Sequence, residues 1–299
     1  MTIVLIAVVA VIAVAVKLLE RRLPRIAYQT VVAVVLLLPI AGTGYAIWSL
    51  WDEWIGWREL SLFLGLWIVT GFGISVGYHR LLTHRSFETG RVVKGVFLAL
   101  GSMANQGRCI DWAAHHLKHH AHSDREGDPH SPLQGFFHAH AGWILSGSPA
   151  ERERYCKRLL EEPLVRFFDS TQPLWVVLGL AIPYAAAGWR GLLWGGFVRL
   201  VVLTHATFTV NSICHMFGTR PFETNDESRN NPVIGILALG EGWHNNHHAF
   251  PSMAFHGMTR WQVDISGYLI RLLDRLGLVW NVKVPSKQAV ERRRGVVTA

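Results

Sequence analysis

Long apolar stretches alternate with polar segments along this 299-residue chain. The apolar stretches cover residues 2–16, 26–51, 60–78, 170–189 and 191–217. A helix needs about 20 residues to cross the hydrocarbon core of a bilayer, so the last four predict membrane-spanning helices. Short loops join the second stretch to the third and the fourth to the fifth. The pattern therefore predicts an all-α integral membrane protein with two transmembrane helical hairpins, or four spans.

The first stretch is short for a span. No positive charge precedes it and no small-residue cleavage site follows it, which disfavours a signal peptide. We expect a fifth N-terminal helix or an interfacial anchor. Residues 1–25 are then this hydrophobic helix or anchor with its basic flank. Residues 26–285 form the membrane domain, and residues 286–299 form a basic, solvated tail.

Lysine and arginine flank the predicted spans mainly on one side. The flanking basic residues are Lys17, Arg21, Arg22, Arg25, Arg80, Arg85, Lys157, Arg158 and Arg166. The positive-inside rule places such flanks in the cytoplasm and the loops at 52–59 and 189–191 outside. Residues 79–169 and 218–299 are therefore expected to form a cytoplasmic helical domain that caps the spans. Within it, residues 91–103 predict an apolar helix on the membrane surface.

Composition agrees with a membrane protein. Only 17% of the residues are charged, and the thirteen tryptophans suit the interfaces of a bilayer. The formal net charge of +8 could suit a nucleic acid partner, but the sequence has no recognisable nucleic-acid-binding motif. We therefore expect no nucleic acid partner. The three cysteines are widely spaced, which disfavours a disulfide framework or a thiolate metal site.

Histidine is the unusual residue of this sequence, with sixteen copies. Nine of them form four clusters. Three clusters hold several histidines, and the fourth is an NxxxH element. The clusters are His79 and His84; His116, His119 and His120; Asn211 with His215; and His244, His247 and His248. Residues three or four apart share a helix face, so each HxxHH cluster can present converging imidazoles. His79 and His84 lie about 140° apart on an ideal α-helix, and would converge better if the helix ended between them.

All four clusters fall on the predicted cytoplasmic side, where they can meet beneath the two hairpins. Neutral imidazole binds Fe, Zn, Cu or Ni, and nine imidazoles exceed one coordination sphere. The residues therefore predict a His-rich dimetal site, with the metal left open. We expect ordinary surface, supporting or core hydrogen-bonding roles for the other seven, which are His115, His122, His130, His138, His140, His205 and His256.

The clusters sit in longer motifs that resemble those of the membrane fatty acyl desaturases, especially the stearoyl-CoA desaturase type. The matching segments are Gly77-Tyr-His-Arg-Leu-Leu-Thr-His, Trp112-Ala-Ala-His-His-Leu-Lys-His-His, Asp128-Pro-His-Ser-Pro, Gly135-Phe-Phe-His-Ala-His-Ala-Gly-Trp, Asn211-Ser-Ile-Cys-His and Glu241-Gly-Trp-His-Asn-Asn-His-His. Their order and spacing cover most of the chain, from about residue 28 to 265.

The resemblance implies that the nine clustered histidines ligate two Fe²⁺ ions and that Asn211 reaches a metal through water. It also implies a bent tunnel for the acyl chain. Gln106, Trp112 and Thr207 match the bend of that tunnel, and Trp67 and Gly71 lie where its closed end would be.

The implied reaction consumes O₂ and two electrons and puts a cis double bond, by family default Δ9, into a saturated acyl chain. The substrate is acyl-CoA or another acyl lipid. The sequence carries no flavin, haem or iron–sulfur motif, so a separate donor is expected: a ferredoxin, a rubredoxin or a cytochrome with its reductase. We expect the plasma membrane of a bacterium, with the active site on the cytoplasmic side.

Two alternatives stay open. A hydroxylase or other oxygenase acting on a lipid or alkane can use the same scaffold, and its product would be an alcohol instead of an alkene. A non-enzymatic membrane metal transporter or sensor would need ionisable residues lining a path through the spans. Arg199 and His205, which interrupt the fifth stretch, are the candidates for such a path.

Overall fold

The protein is described by a computed structural model that covers residues 24–49, 55–146 and 150–294, with backbone alone for 24–36. The helices of at least eight residues are α1 (Pro24–Ser49), α2 (Trp57–Phe72), α3 (Arg91–Met103), α4 (Cys109–His122), α8 (Pro163–Gly191), α9 (Arg199–Ser212) and α12 (Ile265–Arg275). Shorter ones are α5 (Trp143–Ser146), α6 (Arg152–Tyr155), α7 (Lys157–Glu161), α10 (Pro232–Leu237), α11 (His244–Ala249) and α13 (Lys287–Arg293). Three segments wind as π-helices: π1 (Gly73–Thr83), π2 (His138–Gly142) and π3 (Leu192–Val198). Short 3₁₀ turns cover Pro132–Gln134 and Ile213–His215, and β1 (Glu88–Thr89) pairs antiparallel with β2 (Val279–Trp280).

The predicted predominance of helix is therefore confirmed. Among the described residues, two continuous helical runs, Trp57–Thr83 and Pro163–His215, are long and apolar enough to cross a membrane. Four spans remain a prediction. The predicted N-terminal helix or anchor, residues 1–25, falls almost wholly outside the described residues.

The run Pro163–His215 folds back on itself. Its turn lies at Ala187 and Gly188, where Gly188 has a φ of 59° that favours glycine. Beyond the turn Gly195 packs against Pro183 and the Arg199 side chain reaches Gly179, so the two arms are antiparallel. These arms are the helical hairpin expected from stretches 170–189 and 191–217.

Helix α1 packs on the returning arm of this hairpin. Ala46 belongs to a buried cluster with Leu192 and Phe197 of π3, and Phe63 of α2 packs against the same cluster. Helices α1 and α2 thus both pack against π3, and their pairing as one hairpin stays a prediction.

Helix α3 is a helix as predicted, and its position on the membrane surface stays a prediction. Its Gly101 lies against Gly73 and its Phe97 against Gly77, so α3 runs antiparallel to π1 inside the bundle. Its other side packs on α8, where Met103 meets Gly179. Glycines at these crossings allow the backbones to approach closely.

Arg199 is buried where α3 ends. Its guanidinium donates to the backbone carbonyls of Gly195, Met103 and Gly179, which gives the buried cation polar partners. Arg199 therefore connects π3, α3 and α8 through hydrogen bonds. These contacts weaken the argument that Arg199 lines a metal pathway, as the transporter alternative would need.

The predicted solvated tail is docked over the part that is described. Helix α13 occupies Lys287–Arg293, and Arg293 donates to the Ala249 carbonyl and lies over the ring of Phe250. The C-terminal segment thus contacts α11, one of the histidine-bearing helices.

Candidate metal centre

The first histidine motif lies on π1, which continues through Thr83. The helix therefore ends between His79 and His84, at Thr83, and His84 is its C-cap residue. A π-helix repeats through i→i+5 hydrogen bonds, and the backbone N–H of His84 donates to the His79 carbonyl at 3.0 Å. This wide turn brings the two rings to a centroid separation of 4.8 Å.

Five histidines form the first cluster, called site A. Their ligand atoms all lie within 4.8 Å of one another, and the members are His79, His84, His116, His120 and His247. Their Nε2 atoms lie close to one another. The distances between Nε2 atoms are 2.8 Å from His84 to His116, 3.0 Å from His116 to His120, and 2.9 Å from His120 to His247. The Nε2 of His79 lies 3.1 Å from that of His247.

Four histidines form the second cluster, called site B, under the same 4.8 Å limit: His119, His215, His244 and His248. The Nε2 atoms of His215 and His244 lie 3.0 Å apart. The Nε2 atoms of His119 and His248 are buried and have no hydrogen-bond partner among the described residues. All nine predicted histidines are thus divided between two adjacent clusters.

The HxxHH spacing produces this division. On α4, His116 and His120 are one turn apart and face site A, while His119, on the neighbouring face, turns to site B. On α11 the roles reverse, because His244 and His248 face site B and His247 faces site A. Each HxxHH helix therefore forms part of the wall of both sites.

Four carboxylates orient histidines from behind. Glu241 contacts His79 Nδ1 at 2.5 Å in site A. In site B, Asp128, Asp124 and Asp226 contact the Nδ1 atoms of His119, His215 and His248 at 3.0, 2.8 and 2.7 Å. A carboxylate on one ring nitrogen fixes the tautomer and presents the Nε2 lone pair to the other side. Sequence reasoning missed these four residues as functional groups.

The protonation state of the histidines suits metal binding. Burial, reinforced by neighbouring histidines, lowers the pKa of His84, His116, His120, His244 and His247 well below the ordinary value. Burial likewise lowers the pKa of His248 to about 4, against the opposing effect of Asp226. These imidazoles are therefore neutral at pH 7, and those that donate from Nδ1 have only a lone pair at Nε2.

Nε2 atoms that converge at about 3 Å can share a proton between neighbouring neutral rings or bind a metal ion. Two nitrogens about 2.1 Å from one ion lie roughly 3.0 Å apart at 90° and roughly 3.4 Å apart at the tetrahedral angle. The observed separations of 2.8–3.1 Å are compatible with imidazoles that converge on a metal ion in each cluster.

A cavity borders both sites. It is lined by His79 and His116 of site A, His244 of site B, and Asn211. Of the predicted substrate residues, Gly71, Trp112 and Thr207 also line it. Gln106 donates to Thr207 Oγ1 at 2.9 Å, so it contacts the wall from behind. Trp67 packs instead against the buried core cluster around Tyr78 and Leu203.

Two of the remaining histidines support the clusters. The ring of His130 lies 4.3 Å from that of His119, and the ring of His256 lies 4.6 Å from that of His247. His140 and His205 instead pair with each other, with a nitrogen separation of 2.9 Å. These placements agree with supporting or hydrogen-bonding roles.

Comparison with known proteins relates this arrangement to characterised chemistry. The family model described as "Fatty acid desaturase" matches residues 59–269. One similar protein is the hex-5-enoyl-[acyl-carrier protein] acetylenase of Moorena producens, 38% identical over 86% of this chain and 87% of its own length. Another is the sn-1 stearoyl-lipid 9-desaturase of Anabaena variabilis, 40% identical over 78% of this chain and 86% of its own length. A third is the icosanoyl-CoA 5-desaturase of Limnanthes douglasii, 39% identical over 79% of this chain and 67% of its own length.

Proposed function

The chain belongs to the fatty acid desaturase family, and from that premise we propose that it introduces a cis Δ9 double bond into a saturated acyl chain, with O₂ as co-substrate and two iron ions as cofactor. The observation that carries the proposal is the division of nine histidines into sites A and B beside one cavity. His79, His84, His116, His120 and His247 would hold one iron. His119, His215, His244 and His248 would hold the other, with Asn211 bonded to a metal-bound water.

The iron and O₂ supply the oxidising power for removing two hydrogens from adjacent, unactivated methylenes, which side-chain acids and bases lack. The residues of this chain orient the ligands and position the acyl chain. Glu241, for example, holds His79 from behind while it also borders the cavity. Trp112 stacks on the ring of His116, with centroids 5.1 Å apart, and so connects the cavity wall to site A.

The substrate is proposed as acyl-CoA or another acyl lipid. The names of the similar proteins include acyl-carrier-protein, lipid and CoA substrates, and double-bond positions 5 and 9. The Δ9 position rests on the similarity to the stearoyl-lipid 9-desaturases. The Gln106–Thr207 hydrogen bond and the Trp112 side chain lie at the cavity wall, and we propose that they form a bend that holds the reacting carbons near the metals.

Two electrons per turnover come from a separate ferredoxin, rubredoxin or cytochrome with its reductase. An acidic donor would suit a chain with a net charge of +8. We place the protein in a bacterial plasma membrane, as two hairpins with the metal sites on the cytoplasmic side. The apolar runs Trp57–Thr83 and Pro163–His215 support the membrane-spanning part of this proposal.

The test is expression in a desaturase-deficient host, followed by gas chromatography with double-bond location. The wild type should produce a new Δ9 monounsaturated chain and bind about two irons. The variant His119→Ala/His247→Ala, which removes one ligand from each site, should lose both. His122→Ala is the matched control, because His122 lies on α4 outside both clusters. A hydroxylated lipid would indicate the oxygenase alternative, and a folded wild type without iron would contradict the proposal.

A further inference from the structure

The cavity has an apolar end away from the metal sites. Two helical segments line it lengthwise: one runs from Gly71 to His79 and the other from Leu203 to Asn211. Both lead from buried apolar residues to metal-site residues. A polar acyl carrier does not fit the apolar end, so this end suits the methyl terminus of an acyl chain.

Leu239 closes the apolar end. A Cβ atom placed on Gly71 would lie 2.6 Å from Leu239 Cδ1 and 3.5 Å from Leu203 Cδ1. Leu239 is 2% exposed and Leu203 3% exposed, and both line the cavity. The leucine side chains therefore fill the space that the missing side chain of Gly71 leaves.

The backbone of Leu239 is held in an unfavourable conformation. Its φ is +55°, in the left-handed region that leucine rarely adopts. The Ser266 N–H donates to its carbonyl at 2.9 Å, and Gly240, with φ +115°, follows directly before Glu241. Such strain persists where the surrounding structure requires it, commonly at functional sites. Here it aims an apolar side chain into the cavity just before a residue that orients His79.

We propose that Leu239, with Gly71, is the specificity-determining floor of the acyl cavity and sets how many methylenes fit beyond the reacting carbons. The proposal rests on the proposed desaturase function. Removing the Leu239 side chain should deepen the cavity at its methyl end and leave the metal ligands in place. Longer acyl chains should then become better substrates.

The test is the product distribution in a host supplied with saturated chains of graded length. Leu239→Ala should raise the ratio of longer to shorter unsaturated products, on the order of tenfold per methylene gained. Leu239→Gly should give the same shift, and it also suits the positive φ, so it tests the effect without backbone strain. Gly71→Leu combined with Leu239→Ala should refill the space and restore the wild-type distribution.

Leu200→Ala is the matched control. Leu200 is 3% exposed on the same helix as Leu203 but lies outside the cavity wall. It should leave the ratio unchanged. An equal shift in Leu200→Ala, or an unchanged ratio in both Leu239 variants, would overturn the inference. So would the unfolding of both Leu239 variants, measured by thermal denaturation, since Leu239 would then be structural. A wild type without unsaturated product would instead contradict the proposed function.

Discussion

Sites A and B differ in how their histidines are held. Site A has five histidines and one supporting carboxylate, Glu241, whereas site B has four histidines and three supporting carboxylates. The ligands of site A come from π1, from the residue that follows it (His84), and from α4 and α11, and its carboxylate lies three residues before α11. The carboxylates of site B come from loops. The comparison teaches that among the described residues one carboxylate orients a ligand of site A, while loop carboxylates orient three of the four ligands of site B.

The strongest test of this comparison is Glu241→Ala, because no other carboxylate of the described residues contacts a site A histidine. Glu241 also accepts from the buried Arg80, and breaking a buried ion pair costs about 3–5 kcal/mol. We expect a large loss of stability together with loss of site A iron. Thermal unfolding and iron analysis on the purified protein would measure both. Glu88→Ala, at an exposed position on β1, is the control. Normal stability and full iron content in Glu241→Ala would contradict the central role given to this carboxylate.

Asp226→Asn should affect site B alone. Asp226 contacts His248 Nδ1 at 2.7 Å and also accepts from Ser228, and loss of such an outer carboxylate costs about 10- to 100-fold in metal affinity. Under a graded chelator challenge, one iron should leave this variant far earlier than the other. Asp274→Asn, exposed on α12, should behave as the wild type. Simultaneous loss of both irons would mean that the two sites do not differ in the proposed way.

Arg220→Ala should weaken site B less. The Arg220 guanidinium donates to the carbonyls of Thr224 and Asp226 and pairs with Glu227 at 2.8 Å, so it shapes the loop that carries Asp226. The carboxylate itself remains, and we expect an affinity loss of a few-fold, smaller than for Asp226→Asn. The same chelator titration measures it. An effect larger than that of Asp226→Asn would show that loop shape matters more than the carboxylate.

The nine histidines could be predicted because their chemistry is unusual and their spacing is local. The spacing of His116, His119 and His120 already places them on two neighbouring helix faces. The carboxylates could not be found this way. Asp124 is 91 residues from His215, and no local pattern connects an acidic loop residue with a distant imidazole. Only Glu241 and Asp128 stood inside motifs that the sequence singled out.

Two features of the fold depend on backbone geometry and packing that the sequence pattern does not show. The prediction for His79 and His84 assumed an α-helical repeat, whereas π1 has the wider one. Helix α3 was recognised by its apolar character, but hydropathy does not distinguish a lipid surface from a helix interface. Its location depends on backbone contacts at Gly73 and Gly101, which are formed by residues distant in sequence.

Adjacent histidines face opposite metal sites at His119–His120 and again at His247–His248. Neighbouring Cα atoms are about 3.8 Å apart whatever the surrounding loops do. The covalent chain therefore links the two clusters twice, once on each of two helices. Loop movements can change the orientation of individual ligands, and with it the affinity for metal, while these two links keep the clusters side by side. The adjacency of the two clusters is thus a property of the helix backbone, whereas the orientation of their ligands is a property of the loops.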